Sequence, residues 1–523
     1  MTERPPGASG GAAVRDERTA TLRRELHAAS FTVDRLAALL GPEAEAALGR
    51  GDRVPARRAL TAAGPQPAAL LGRLFLLGEQ LQPGVAEQTE AEALSPALLD
   101  ALIGLGLAAR SQGGLRAVRD LRPYAFEDEL GAGHWWIVSD LGELGRPGPL
   151  PTDHVLGVGA ASLTLAAALL PGRYERALDL GTGCGIQAMH LSRRANRVVA
   201  TDVSERAVRT AALNAELNGI RSIELRQGDL FEPVRGELFD LIASNPPFVI
   251  TPRDRAVPEY VYRDGGREAD GLVREVVSGV AELLEPGGVA QLLGNWEYRP
   301  GEEGPARVLS WLGGAEVDLW LIERERVGPA QYAETWVRDG GTSAGPVYES
   351  LMDAWLQDFA ARGVQAVGMG SLLLRRRAAG EEGAPLRRVD RPGQPLPIGT
   401  ALGAHLAECL AAQRWLAASD DDAFAAATLV VAPDVTEERH YRPGSADPSA
   451  ILLRQGGGFR RAVDADTVLA GVVGACDGEL PVGSLLAGIA SLLDADPVAV
   501  RKAALPGLRE LVASGMLRVS GLA

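Results

Sequence analysis

From about Thr19 to Glu79 apolar residues return every three or four positions, in TLRRELHAA, VDRLAALLG, ARRALTAAG and PAALLGRLFLLGE, the spacing of short amphipathic helices. Ser95–Leu107 predicts a further helix. Behind it, a turn at Gly113–Gly114 and a strand-like Leu115–Val118 suggest a small β-wing. His134–Ser139 (HWWIVS) has β character and is followed by the Gly/Pro-rich GELGRPGPLP. The pattern then changes. ALDL, RVVAT, IELRQ, FDLIAS and GVAQLLG are short apolar runs separated by helical stretches at the spacing of βαβ units, which predicts a parallel sheet covered on both faces. Beyond Arg375–Arg377 lies a polar, Pro-rich bridge. A helix at Ala401–Leu416, strand-like pieces at Ala427–Val431 and Ala450–Arg454, and a close over Asp464–Val519 that ends in a helix and a short strand complete the chain. The expected organisation is a tail without structure (1–16), a helical, winged-helix-like N-terminal domain (17–150), an α/β core (151–377), a linker (378–395) and an α+β C-terminal domain with a winged-helix-like element (396–523).

Composition narrows the classes of partner. The chain has 523 residues, with 53 Lys and Arg against 68 Asp and Glu, a formal charge of −15. Such a balance speaks against nonspecific binding of phosphate backbones by the molecule as a whole. Lys502 is the only lysine, so the basic residues are almost all arginine. Cys184, Cys409 and Cys476 are far apart and form no CxxC pair, which argues against a disulfide scaffold or a structural zinc site and for a reducing compartment. The first twenty residues carry charges where a signal peptide needs an apolar core, and the longest uncharged stretch, Val155–Pro171, is too short to span a bilayer. A soluble cytoplasmic protein is expected.

The chemistry concentrates in ALDLGTGCGIQ (177–187). An apolar strand ends at Asp179-Leu180. Gly181, Gly183 and Gly185 then alternate before a helix, as a sharp turn against a closely approaching ligand requires. The helix N-terminus is expected to offer N–H groups to an anionic ligand end. RVVATD ends in Asp202, about 20 residues downstream, where an acid can accept both ribose hydroxyls of an adenosine cofactor. QGDLF places Asp229 to take an adenine amino group. A Gly-rich turn alone fits a dinucleotide site equally well, and the GxGxG spacing favours the other reading.

The deciding segment is FDLIASNPPFVI, which sets Asn245-Pro246-Pro247-Phe248 at the end of an apolar strand. A planar amino nitrogen is a poor nucleophile because its lone pair is delocalised. Asn245 Oδ1 and the Pro246 carbonyl can accept its two N–H bonds and aim the lone pair at an electrophilic methyl. Pro246 and Pro247 stiffen the loop, and Phe248 offers a flat face to the acceptor. With the upstream motifs, residues 177–250 resemble a class I S-adenosylmethionine-dependent methyltransferase of the NPPF/Y subgroup. That subgroup covers amino-group N-methyltransferases: the HemK-like release-factor glutamine enzymes, the small-domain ribosomal RNA guanine N2 enzymes and the adenine N6 enzymes. The resemblance spans roughly 155–375. It implies a Rossmann-like core with a mostly parallel, doubly wound sheet, S-adenosyl-L-methionine as cofactor and no metal. It further implies that Asp179 and the loop Gly181, Thr182, Gly183 and Gly185 contact the methionine part, Asp202 the ribose, Asp229 the adenine edge and Asn245–Phe248 the acceptor amine.

Three acceptors fit that chemistry: a protein glutamine side chain, an RNA or DNA exocyclic amine (guanine N2 or adenine N6), and a small molecule. The run YVYRDGGREADGL (260–272) is similar to the segment after NPPY in release-factor glutamine methyltransferases, and the acidity of the chain favours a protein. Phe248 stands where those enzymes usually have Tyr, and Val249 where the ribosomal RNA enzymes usually have His.

Other residues divide between function and architecture. His154 lies ahead of the glycine loop, although a lone His is more often a bonded structural residue. Trp135 and Trp136 could stack a base or peptide group, yet neighbours on a strand face opposite ways, so one is expected in the core. Tyr332 and Trp336 are candidates for the acceptor pocket, with core packing the stronger expectation. Arg375–Arg377 could meet phosphates or simply end a strand. Asp420–Asp422 reads as a loop or helix start, and Cys184 as a small side chain that fits its loop.

Overall fold

The computed structural model describes residues 8–82, 93–111, 114–142, 151–253, 257, 263–381, 383–392, 394 and 396–522. The expected linker 142–151, the turn at Gly113 and the first residues of the 260–272 run fall largely or wholly outside them. Helix α1 (Ala8–Ala28) begins inside the stretch expected to lack structure. It is followed by α2 (Val33–Gly49), kinked at Gly41-Pro42, where Gly41 has φ 73°. Next come α3 (Val54–Ala62) and α4 (Pro67–Leu71), the last continuing as a π-turn to Leu76. Ser95 caps α5 (Pro96–Gly104) by accepting from Leu98 N–H, and Pro96 occupies the first turn, where no N–H is needed. Strands β1 (Ala108–Ser111) and β2 (Gly114–Ala117) form the wing, and Leu81 bridges to Leu115 on the far side of β2. Helix α5 is thus followed by a two-stranded hairpin.

A second hairpin, β3 (Asp120–Asp128) and β4 (Gly131–Ser139), joins this unit to the core. Both tryptophans of β4 are buried, where one was expected to be. Trp136 faces the N-terminal helices and donates its Nε1–H to the Phe31 carbonyl at 2.7 Å. Trp135 faces the other way, among Tyr124, Phe126 and His190. Alternation puts them on opposite faces, and each face is covered.

The core opens with α6 (Ala160–Ala168), β5 (Tyr174–Leu180), α7 (Ile186–Leu191), β6 (Ala195–Asp202), α8 (Glu205–Leu217), β7 (Ile223–Gln227) and β8 (Phe239–Ser244). It continues with α9 (Gly271–Leu283), β9 (Leu284–Tyr298), α10 (Gly304–Ser310), β10 (Val317–Val327), α11 (Pro329–Asp339), α12 (Pro346–Ala361), β11 (Ala366–Arg376) and β12 (Arg387–Asp390). Eight strands make one sheet in the order β12-β10-β11-β9-β8-β5-β6-β7, in which only β11 runs against its neighbours. The continuous apolar runs form these strands because helices cover both faces; Leu178, Ile242 and Leu292 are among the buried side chains. This is the doubly wound α/β core implied by the resemblance.

One expectation needs correction. Strand β12 lies within the segment expected to be a linker and pairs in parallel with β10, so the sheet extends through it. Arg375–Arg377 lie at the end of β11, the stronger of their two readings, and are engaged within the chain: Arg375 pairs with Asp318 and Glu381, Arg376 donates to the Leu284 carbonyl, and Arg377 pairs with Glu316.

The C-terminal unit holds α13 (Gly403–Ala418), α14 (Asp421–Ala426), β13 (Thr428–Val431), β14 (Val435–His440), β15 (Ala450–Gln455), β16 (Ala462–Ala465), α15 (Thr467–Gly474), β17 (Asp477–Pro481), α16 (Val482–Leu492), α17 (Pro497–Ala513) and β18 (Leu517–Val519). From α15 to β18 the order is helix, strand, helix, helix, strand. The middle strand of the small sheet β17-β13-β18 comes from upstream, so β13 occupies the place a wing strand would take. Asp420 caps α14 through Asp422 N–H and Ala423 N–H, while Asp421 and Asp422 pair with Arg509 and Arg501.

Candidate active site

In an open parallel sheet the ligand crevice opens outside the carboxyl ends of the strands, where the strand order reverses. Here that point lies between β5 and β8. Their register pairs Leu180 with Ser244, so Gly181 and Asn245 leave adjacent strands side by side. Leu180 also pairs with Thr201, and Asp202 pairs with Gln227, which brings Asp202 and the approach to Asp229 to the same edge. Ser244 fastens the β5–β8 end by donating to the Leu180 carbonyl at 2.7 Å.

Asp179 is fully buried. Its Oδ2 accepts from Thr182 Oγ1 at 2.6 Å and from Ala188 N–H at 2.9 Å, while Oδ1 has no hydrogen-bond partner among the described residues. Burial pushes its carboxyl up to about 7, against the lowering effect of those two donors, and the Asp202 charge adds to the rise. Gly181, Gly183 and Gly185 have φ of 77°, 55° and 89°. A Cβ at Gly181 or Gly183 would meet open space, so the backbone conformation requires glycine there; at Gly185 a Cβ would also come within 2.9 Å of the Ala211 Cβ.

Four N–H groups of this turn are bonded within the chain. Those of Gly181 and Thr182 donate to the Thr201 carbonyl, that of Gly183 to Asp202 Oδ2, and that of Gly185 to the Thr182 carbonyl. Asp202 thereby ties the loop down, with Oδ1 accepting from Ser204 N–H at 2.9 Å, and its own burial raises its carboxyl above the usual range. Asp229 is more exposed and sits 3.6 Å from Arg267.

Among the described residues, this edge carries buried side-chain acceptors without a partner. Besides Asp179 Oδ1 they are Asn245 Oδ1 and Gln187 Oε1, the Gln187 side chain being oriented by its Nε2–H to the Ser162 carbonyl. Buried acceptors without donors are costly, so the site suits a ligand rich in N–H groups and positive charge. S-adenosylmethionine, with its ammonium, sulfonium and adenine amino group, meets that requirement. The Asn245–Phe248 loop leaves β8 with Pro247 Cγ 3.1 Å from where a Cβ of Gly265 would stand, and Phe248 packs edge-on against Trp336 with ring centroids 6.3 Å apart.

Tyr332 does not line this crevice. It is fully buried with Trp355 and Phe359 behind the loop, whereas Trp336 is half-buried against Phe248. His154 is buried 3.8 Å from Asp140 Oδ2. The Cys184 thiol is buried and pushed up to about 11 by burial, which removes a nucleophilic role at neutral pH.

Sequence reading passed over Asn214 and Asn218. Asn218 accepts from Trp136 N–H and donates to its carbonyl, and Asn214 does the same at Val138. Asn214 Nδ2 also donates to the Cys184 carbonyl inside the glycine loop at 2.8 Å. Two asparagines four apart on the inner side of an amphipathic helix were the available signal.

A methyltransferase small domain model matches residues 157–297. Models described as domains of unknown function match 28–118 (DUF7059) and 407–519 (DUF7782). A release factor glutamine methyltransferase of Xylella fastidiosa is 37% identical over 132 residues, 24% of this chain and 48% of that protein. A ribosomal protein uL3 glutamine methyltransferase of Bradyrhizobium diazoefficiens is 33% identical over 178 residues, 32% of this chain and 54% of that protein. The chain thus spans about half the length of these two relatives. A "putative protein N5-glutamine methyltransferase" of Methanocaldococcus jannaschii is 31% identical over 135 residues, 25% of this chain and 68% of that protein. With the archaeal relative covered over two thirds of its length, the sheet order and the strand-end motifs agree with the sequence likeness, and the chain belongs to the HemK-like class I S-adenosylmethionine-dependent methyltransferases of the methyltransferase small domain type.

Proposed function

We propose that the protein transfers a methyl group from S-adenosylmethionine to a planar amide nitrogen, the acceptor being a glutamine side chain of another protein. The observation that carries this reading is Asn245 Oδ1: a buried acceptor with no donor among the described residues, at the end of β8 beside the glycine loop. The relatives named for glutamine methylation support the choice of acceptor. When bound, S-adenosylmethionine supplies a methyl group already activated by the sulfonium.

The chain's own residues do the positioning. Asp179 offers Oδ1 to the ammonium, Asp202 its remaining lone pairs to the ribose hydroxyls, and Asp229 its carboxylate to the adenine edge. Asn245 Oδ1 and the Pro246 carbonyl accept the two N–H bonds of the acceptor amide and so direct its lone pair. Pro246 and Pro247 fix the backbone before the acceptor arrives, which lowers the cost of orienting it. Asn245, a neutral amide, takes no proton, so the product's proton goes to water.

Methyl-labelled S-adenosylmethionine incubated with the protein and a lysate from a strain lacking it tests the acceptor. Label removed by protease supports a protein acceptor; label removed by nuclease sinks that choice. The same assay assigns roles: Asn245→Ala is expected to keep cofactor affinity and lose at least ~100-fold in turnover, whereas Asp202→Ala loses affinity. Calorimetry showing the reverse would overturn the assignment.

A further inference from the structure

We propose that Tyr332 is a positioning residue, holding the Asn245–Phe248 loop from behind so that α11 grips the loop on which the acceptor amide is placed. The proposal rests on the functional reading above. Helix α11 belongs to the helical pair α11–α12 that connects the antiparallel strands β10 and β11. It packs through Tyr332, Ala333 and Val337 in a cluster with Trp355 and Phe359 of α12. Tyr332 is 1% exposed, yet its hydroxyl oxygen accepts from Ile250 N–H at 3.0 Å and from Asn295 Nδ2 at 2.7 Å. Ile250 is two residues past Phe248, and Asn295 stands on β9, so one oxygen ties the loop's exit to the sheet.

One helical turn later, Trp336 packs against Phe248, and its carbonyl accepts from Arg263 at 3.0 Å. The Arg263 carbonyl in turn accepts from Val249 N–H at 2.8 Å. Residues 248, 249 and 250 are therefore held in succession, all from the side of α11. Asn245 Oδ1 has no such hold among the described residues. The two prolines fix φ at 246 and 247 but not the direction in which the loop leaves the strand. Tyr332 supplies that constraint, because phenylalanine in its place would leave two buried N–H groups without an acceptor. The Asp179 and Asp202 side of the crevice shares none of these contacts, so loss of the grip should affect transfer and spare cofactor binding.

The test compares the full-length wild type with Tyr332→Phe and with Val337→Ala, which loosens the same helix without removing a hydrogen bond. Three quantities are read: hydrogen exchange of a peptide covering 245–253, affinity for S-adenosylhomocysteine by calorimetry, and transfer of label from S-adenosylmethionine into protease-sensitive lysate material. Expected for Tyr332→Phe are exchange at least ~10-fold faster in that peptide, transfer about 10- to 100-fold slower, and affinity within about twofold of wild type. Val337→Ala should melt earlier and keep both exchange and transfer near wild type. Unchanged exchange and transfer in Tyr332→Phe would overturn the proposal, as would equal slowing in Val337→Ala. If the wild type neither binds S-adenosylhomocysteine nor transfers label, the functional reading fails, and the exchange comparison still decides whether Tyr332 holds the loop.

Discussion

Asp179 is where burial and chemistry conflict most directly. Its carboxyl is raised to about 7, well above an ordinary aspartate near 3.9. Between those two values the folded protein holds a proton that the unfolded chain has already lost, so this group's contribution to stability falls as pH rises from about 4 to 7. A cationic ligand reverses the preference, because only the ionised carboxylate attracts an ammonium. Affinity for S-adenosylhomocysteine should therefore strengthen about tenfold per unit on the acid side of pH 7 and level off above it. Asp202, the neighbouring acid that raises Asp179, titrates upward from its own usual value for the same reason of burial, so the Asp179→Asn variant is the discriminating control. Calorimetry from pH 5.5 to 8 should show the slope in the wild type and a much flatter one in Asp179→Asn. Equal slopes in the two proteins would remove Asp179 from the role.

At the scale of elements, helix α8 does work its sequence hardly announces. Among the described residues, strand β4 pairs with a strand on one side only, β3. On the other, Asn214 and Asn218 take the place of a neighbouring strand and satisfy the backbone of Trp136 and Val138. Because Asn214 also bonds the Cys184 carbonyl, Asn214→Ala should cost about 3 kcal/mol of stability and weaken S-adenosylhomocysteine binding. Asn218→Ala, farther from the loop, should cost about 1 kcal/mol and leave binding alone. Urea midpoints with calorimetry check both, and equal affinities in the two variants would dissociate α8 from the loop. Periodicity revealed the strands β5 to β9, of which β5, β6, β8 and β9 are apolar runs bounded by glycine and polar turns. It gave no strand over β10, and it missed β12 because RRVD is short, charged and set among prolines and becomes a strand only through pairing with β10. The strings around Asp179, Asp202 and Asn245 were readable because each is local. The roles of Asn214 and Tyr332 were not, since each depends on a partner more than 75 residues away.

Across the whole molecule, the outer units interlock with the sheet where composition suggested linkers. The N-terminal core includes Leu213 and Leu217 of α8 alongside Leu22, Leu102 and Trp136. On the opposite flank, Trp320, Ile322 and Leu373 of the sheet share a cluster with Leu406, Leu410 and Phe459. Asp390 on β12 accepts from Trp320 Nε1 at 2.7 Å and pairs with both Arg388 and Arg461, the second from the C-terminal unit. Arginine suits this junction, since one planar fork can meet two acceptors; Arg388 also reaches Glu510 on α17. A fragment cut at the sequence-based limits, 151–377, would lose β12 and expose both apolar clusters, leaving the edge of β10 unpaired. It is therefore expected to aggregate or to melt without a cooperative transition, while the full chain melts cooperatively. Replacing Asp390 by Ala in the full chain should cost about 3 kcal/mol, because it leaves the buried Trp320 N–H without its acceptor and takes a carboxylate from Arg388 and Arg461. A soluble 151–377 fragment with a sharp transition and unaltered affinity for S-adenosylhomocysteine would show that the outer units are accessories. The interlocking contacts lead us to expect instead that they complete the fold on which the crevice is built.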